Sequence, residues 1–279
     1  MSCGPRETLS ARSFCSPEAR TGAELYLDLL KKCLTRLIFP DQALQYDLVN
    51  TSPFVASDRE IGRDWPTEAE TMVGLERLKN VASSVLEVIE TGVPGDLFEA
   101  GVWRGGVAIL MRAVLKAYGD STRTVWVADS FRGLPPPDPD RYPLDTGDPH
   151  HCFSSYLGVS MDDVQRNFAR YGLLDSQVQF LPGWFKDTLP AAPVSQIAVL
   201  RIDGDMYEST IQALHCLYDK VSAGGFVIID DYGALAGCRA AVDDFRRERG
   251  IADPLVRIDW TGVFWRKTPR RLQFAPRTE

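Results

Sequence analysis

The chain has 279 residues, 44% of them hydrophobic and 10% aromatic, and a net charge of −7. That length holds one large α/β domain with additions, or at most two small domains, around a sizeable core. The acidic balance counts against a nucleic-acid partner, which needs a basic face, and no apolar run approaches bilayer length. With no basic-then-apolar leader, the chain is expected to be cytoplasmic, to have no membrane partner and to act on a small molecule.

Residues 1–22 mix Ser, Arg, Pro and Gly without periodicity. They are expected to form a flexible tail, or an arm ordered by a partner subunit in a homodimer or higher homo-oligomer. Residues 23–93 read as N-terminal helices with an acceptor-side loop. Tyr26, Leu29, Leu30, Cys33 and Leu37 recur at amphipathic spacing and predict a first helix. Residues 41–65 lack a period and end in Trp65-Pro66, consistent with a loop over a site. Thr67 to Glu70 has the form of a capping box, and Met72, Leu75, Leu78, Val81, Val85 and Val88 supply the stripe of a second helix, closed by Gly92 and Pro94.

Residues 94–279 read as an α/β core. Asp96-Leu-Phe-Glu-Ala-Gly-Val-Trp-Arg-Gly-Gly106 is a strand, a glycine turn and the start of a helix. In an open α/β sheet such a turn lies at the carboxyl edge, where its glycines let the backbone approach a cofactor. The dinucleotide pattern G-x-G-x-x-G is absent, because Trp103 stands where the second glycine belongs. A Glu99-x-Gly101 turn suits S-adenosylmethionine better, since a carboxylate there meets the ammonium of its methionine end.

Arg123 to Asp129 is a second strand, and it ends in a carboxylate. Asp129 stands where ribose hydroxyls are commonly held, although strand-end aspartates also serve as turn residues. Residues 131–155 are long and rich in Pro and Asp, and a lid over about 133–158 is expected. Ser160 to Asp163 caps a helix through Phe168, and Val178 to Leu181 makes a third strand before Gly183 and Trp184. Trp184 either stacks on adenine or packs under the sheet edge. The six cysteines show no C-x-x-C and are expected to stay reduced, with Cys33 and Cys216 mostly buried in helices. His150 and His151 read as a solvated loop pair, a substrate contact being the alternative.

Two further strands carry the chemistry. Ile197 to Ile202 ends in Asp203-Gly-Asp205-Met-Tyr-Glu-Ser-Thr, and a helix bearing Ile211, Leu214, Leu217 and Val221 leads to Phe226-Val-Ile-Ile, which ends in Asp230-Asp231. Parallel neighbours lie roughly 4.8 Å apart, so Asp203, Asp230 and Asp231 can converge. Crowded carboxylates repel one another unless a cation sits between them, and all-oxygen ligation suits Mg²⁺, with Ca²⁺ or Mn²⁺ as alternatives. Asp205, two residues past a ligand, is placed to take the proton of a hydroxyl that the cation acidifies. Glu208 is a second candidate for that role.

Together these motifs resemble the Mg²⁺-dependent macrocin O-methyltransferase family, which includes mycinamicin and novobiocin sugar methyltransferases. The resemblance lies in Glu99-Ala-Gly-Val-Trp-Arg-Gly-Gly106, Asp129-Ser-Phe-Arg-Gly-Leu-Pro135, Gly183-Trp-Phe-Lys-Asp-Thr-Leu-Pro190, Leu200-Arg-Ile-Asp-Gly-Asp-Met-Tyr-Glu-Ser-Thr210 and Ile229-Asp-Asp-Tyr232. It covers about residues 24 to 267. It implies a class I S-adenosylmethionine-dependent methyltransferase: a Rossmann-like, mostly parallel seven-stranded sheet with helices on both faces and a terminal hairpin at Val256–Trp260 and Gly262–Arg266.

Carried over, the resemblance makes Asp203, Asp230 and Asp231 the Mg²⁺ ligands and Asp205 the general base. Glu99, Gly101, Asp129 and Ser130 then hold S-adenosylmethionine, with Gly183 and Trp184 near the adenine. Arg104 meets the methionine carboxylate, anchors the lid or forms a salt bridge on the helix face. The implied acceptor is a deoxysugar hydroxyl on a glycosylated natural product such as a macrolide, aminocoumarin or enediyne. Catechol and caffeoyl-type phenol methyltransferases share the metal logic, but their pattern has lysine where Met206 stands and Asp-Asn in place of Asp230-Asp231. A non-catalytic S-adenosylmethionine-binding subunit is a third reading, and it would be expected to lack the metal carboxylates.

Overall fold

A computed structural model describes residues 21–269, so the tail expected at residues 1–22 lies almost wholly outside the described residues. The described chain opens with helix α1 (Gly22–Leu34), capped by a reciprocal Thr21–Glu24 box. A small antiparallel sheet follows, made of β1 (Ala43–Leu44), β2 (Thr51–Ser52) and β3 (Trp65–Pro66), with helix α2 (Ala56–Ile61) between its second and third strands. Helix α3 (Leu75–Glu90) then delivers the chain to the main sheet.

From there, β4 (Asp96–Ala100), α4 (Gly106–Ala117), β5 (Val125–Asp129), α5 (Ser154–Leu157), α6 (Met161–Arg170) and β6 (Val178–Pro182) succeed one another. After α7 (Phe185–Thr188) come β7 (Ile197–Ile202), α8 (Tyr207–Leu217), β8 (Val221–Ile229), α9 (Ala236–Glu248) and the hairpin of β9 (Val256–Arg257) and β10 (Val263–Arg266). The seven strands lie in the order β6-β5-β4-β7-β8-β10-β9. The first five run parallel, and β10 is antiparallel to β8 and to β9.

Strand alternation sorts the core into two layers. Leu97, Val127, Phe226 and Ile228 face one cluster that includes residues of α1, α3, α4 and α6, while Phe98, Ala128, Val227 and Ile229 face a second that draws on α8 and α9. Helices therefore cover both faces, which is why β7 reads as an unbroken apolar run apart from Arg201.

The fold departs from the local sequence readings at several places, the first being residues 41–65, read as a loop, which hold β1, β2, α2 and the start of β3. In α1 the buried residues are Leu27, Leu30 and Leu34, while Tyr26 and Leu29 are exposed. The helix is apolar on more than one side, and docking on α4 selects the stripe. The Thr67–Glu70 segment is not a helix cap; α3 starts later, with Gly74 as its N-cap. The amides of Glu68 and Ala69 instead donate to the Asp41 carboxylate, which buried Arg59 holds in place, so a tertiary contact overrides the local signal. The helix expected to reach Gly224-Gly225 ends at Leu217, and Val221 already belongs to β8. Cys33 and Cys216 are only half-buried; Cys238 is the fully buried thiol, and the described cysteines are all free.

Candidate active site

Strands β4 to β8 all end on one edge of the sheet, and the hydrogen-bond ladder continues one residue past them. Gly101 N–H donates to the carbonyl of Ala128, Asp203 N–H to that of Ala100 and Asp230 N–H to that of Ile202, at 2.8–3.0 Å. Residues from four strand ends are thus brought level around a cavity of about 640 Å³. Gly101 makes that close approach possible: it has φ 88°, and a Cβ there would sit 1.7 Å from the carbonyl oxygen of Asp203.

At the centre stands Arg201, 1% exposed and next to last in β7. Its Nη1 donates to Oε1 of Glu99 at 2.5 Å, and its Nη2 donates to Asp203 at 2.8 Å and Asp230 at 2.5 Å. Arg77 of α3 donates to the other oxygen of Asp230 and, at 3.0 Å, to Asp259. Buried charges demand such pairing. An arginine inside an apolar strand was the signal, left unread in the sequence, that carboxylates converge on it.

The expected residues do not all fall in one place. Asp203, Asp205 and Asp231 lie together, one carboxylate oxygen of each within 4.8 Å of the others, and form a group able to hold a metal ion. Asp230 lies outside that group, because its two oxygens are directed to Arg201 and Arg77. Glu99, Gly101, Asp129, Ser130 and Trp184 line the same cavity, whereas Gly183 lines a smaller hollow beside it that Ser130 and Trp184 share. Arg104 is in neither. Its guanidinium donates to the carbonyls of Pro66 and Ala69 and packs over the rings of Trp103 and Tyr156, so it ties the lid to the N-terminal region.

Glu99 is 1% exposed, and its Oε2 has no hydrogen-bond partner. Burial outweighs the pull of Arg201 and pushes its carboxyl up to about 8. A buried carboxylate with one free oxygen on a cavity wall fits an ammonium group such as that of S-adenosylmethionine. Asp129 accepts N–H bonds from Val102 and Phe131 at 2.8 Å, fixing the turn after β4 while it lines the cavity. It thus combines the turn role with a position open to a ligand.

The three grouped aspartates are all shifted upward, first by burial and then by neighbouring carboxylates: Asp230 acts on Asp203, Asp203 on Asp205, and both Asp203 and Asp205 on Asp231, with Asp205 raised to about 7. Burial acts the same way on Asp230, but Arg201 and Arg77 overcome it and hold that carboxyl below its ordinary value. A divalent cation would relieve the repulsion among the three. Asp205 also has φ 59°, a left-handed conformation uncommon outside glycine, and its N–H donates to Asp231 at 3.2 Å.

The lid is bound into the site at several points. Among its residues Gly133, Leu134, Pro135 and His150 line the cavity. Asp145, 2% exposed, accepts the N–H groups of Tyr207 and Glu208 at 2.7 and 2.9 Å, so the lid caps the first turn of α8. The residues Trp65, Phe153 and Tyr156 pack as an aromatic cluster, with Trp65 and Tyr156 stacked at 5.2 Å, joining the small sheet to the lid.

The family model for macrocin O-methyltransferases matches residues 23–267. The chain belongs to the macrocin O-methyltransferase family. This methyltransferase is 56% identical over 245 residues to the 8-demethyl-8-(2,3-dimethoxy-alpha-L-rhamnosyl)-tetracenomycin-C 4′-O-methyltransferase of Streptomyces olivaceus, covering 88% of this chain and 93% of that one. It is 50% identical over 250 residues to the mycinamicin III 3″-O-methyltransferase of Micromonospora griseorubida, covering 89% of this chain and 98% of the relative.

A solved structure of the O-methyltransferase NovP superposes with a TM-score of 0.85 at 50% identity, over 88% of this chain and 100% of that one. The calicheamicin methyltransferase CalS11, 18% identical, superposes with a TM-score of 0.55 over 95% of this chain and 99% of its own, and so shares the fold. The fold is that of a class I S-adenosylmethionine-dependent methyltransferase. Among the described residues no helix is long and apolar enough to cross a membrane.

Proposed function

We propose that this methyltransferase moves the methyl of S-adenosylmethionine to a hydroxyl of a deoxysugar carried by a glycosylated natural product, with Mg²⁺ bound beside the acceptor. The observation that carries the reading is that the group of Asp203, Asp205 and Asp231 shares one cavity with the free oxygen of Glu99. A methyl donor and a cation-gripped hydroxyl would meet there.

Asp203 and Asp231 are the residues to hold the cation, and its chemistry would be to grip a hydroxyl and lower its pKa. Asp205 is the base: it takes the hydroxyl proton onto a carboxylate kept close by its left-handed backbone and its N–H bond to Asp231. Asp230, bonded to both arginines, fixes Arg201 against Asp203 and Glu99. Glu99 receives the ammonium of the donor and orients its methyl toward the acceptor. Tyr46 and Trp65, which line the cavity, suit a flat, partly apolar aglycone. The relatives' names give a rhamnosylated tetracenomycin and mycinamicin III as their acceptors.

Methyl transfer from labelled S-adenosylmethionine should be measured, with Mg²⁺ and with excess chelator, on glycosylated polyketides, free sugar nucleotides and catechols. Turnover is expected with the glycosylated compounds, and it should be lost in chelator. Turnover on catechols or free sugar nucleotides, and none on glycosylated compounds, overturns the acceptor class.

A further inference from the structure

We propose that His150, held by Asp148 on the lid, binds a hydroxyl of the acceptor sugar beside Asp205 and so helps select the acceptor. The inference rests on the sugar methyltransferase reading above and deepens it.

The lid does not hang free over the site. Asp145 is bonded to the first turn of α8, two residues after Asp205, and His150 follows only five residues later. His150 lines the cavity that Asp205 also lines, and its ring lies within electrostatic reach of the Asp205 carboxyl. The ring is held from its own side: Nδ1 faces Oδ1 of Asp148 at 2.8 Å, the same oxygen accepts the His150 N–H at 2.9 Å, and Phe153 packs edge-on at 6.3 Å.

A carboxylate at Nδ1 selects the tautomer with its proton there and leaves the lone pair on Nε2. Among the described residues no group bonds Nε2. A fixed ring with a spare acceptor, on a polar wall shared with Glu208 and Gln212, is suited to a sugar hydroxyl that donates to it. Asp205 and the carboxylate group are assigned to the reacting hydroxyl, so His150 is free to read one that does not react.

The test uses the full chain loaded with S-adenosylhomocysteine, titrated calorimetrically with a glycosylated acceptor, alongside kcat/KM for methyl transfer. His150→Ala should raise the acceptor Kd and lower kcat/KM by about 10-fold, the effect of losing one buried hydrogen bond. Affinity for S-adenosylhomocysteine and the Tm should be unchanged. His150→Gln, which keeps a hydrogen-bonding group, should lose less, and Asp148→Asn should lose part of the effect because the tautomer is freed. On acceptors from which each non-reacting sugar hydroxyl has been removed in turn, the His150→Ala penalty should shrink to under about 2-fold for one analogue, since the bond it breaks is already gone.

Equal penalties on every analogue, or an unchanged acceptor Kd, overturn the proposal. Should the unaltered chain methylate no glycosylated compound, the underlying reading has failed. Should it methylate one while His150→Ala is indistinguishable from it, only this inference has.

Discussion

Arg201 faces Glu99 directly across the β4–β7 pairing and donates Nη1 to its Oε1 at 2.5 Å, leaving Oε2 without a partner. The same guanidinium also holds Asp203 and Asp230, so the residue that would meet the methyl donor and those beside the cation share one cationic hub. Glu99→Gln keeps the shape but removes a carboxyl that a bound ammonium would draw from its raised, protonated form into the charged one. Its affinity for S-adenosylhomocysteine should fall by about 10- to 100-fold, the range for a lost charge-assisted bond. Tm should change little, because the neutral amide is no costlier to bury than the carboxylate. Calorimetry and thermal unfolding check this; an unchanged affinity would place the ammonium elsewhere.

Asp205→Asn separates a base from a ligand. As base, Asp205 should cost about 10²- to 10⁴-fold in turnover when replaced, with Mg²⁺ and S-adenosylhomocysteine affinities within a few-fold of the unaltered chain. Its place inside the carboxylate group makes the other outcome a real one. If Mg²⁺ affinity falls with turnover, Asp205 is a ligand and the proton goes to another group. Single-turnover rates and metal titration read the two effects independently.

The crowded carboxylates also set a pH dependence. Asp203, Asp205 and Asp231 are shifted upward by burial and by neighbouring carboxylates, Asp230 among them, with Asp205 raised to about 7. The metal-free folded state therefore keeps protons that the unfolded chain loses above about pH 4. Stability of the metal-free protein should fall as pH rises from about 4 to about 7, because in that window the folded state binds more protons. Saturating Mg²⁺ should flatten the decline, and its binding should release protons and tighten as pH rises. Tm against pH with and without Mg²⁺, and binding heats in buffers of different ionisation enthalpy, test this. A metal-free Tm that climbs across that window would contradict it.

Periodicity alone located the parallel strands, because strands buried on both faces are short apolar runs with sharp ends: β6, β7 and the aspartates beyond β7 and β8 fall where the sequence puts them. The helices were less legible. In α1 several apolar stripes compete, and only packing on α4 decides among them. At Thr67–Glu70 the local cap pattern loses to Asp41, 26 residues upstream of Thr67. Within the site, the acidic strand ends were readable, but the direction of each side chain was not. Whether Asp230 turns to a cation or to arginines depends on Arg77, 153 residues away in sequence. The lid's role was hidden for the same reason, since Asp145 gains meaning only when the start of α8 lies beneath it.

That lid contact yields the last prediction. Asp145 accepts two N–H groups at the start of α8, where the helix dipole favours a negative charge. Asp145→Ala leaves both donors unpaired under the lid and should lower stability by about 1–2 kcal/mol, as for a lost N-cap. The larger effect should be local. A lid freed at this point no longer fixes His150 over the cavity, so the acceptor KM should rise while affinity for S-adenosylhomocysteine holds, because the Asp145 carboxylate bonds the start of α8 and not Glu99 or the β4 turn. Limited proteolysis should cut first within residues 133–158. Asp145→Asn, which keeps one acceptor oxygen, should fall between the two. A uniform loss of cofactor and acceptor binding, with no new cleavage in the lid, would mean that Asp145 supports the fold as a whole and not the position of the lid.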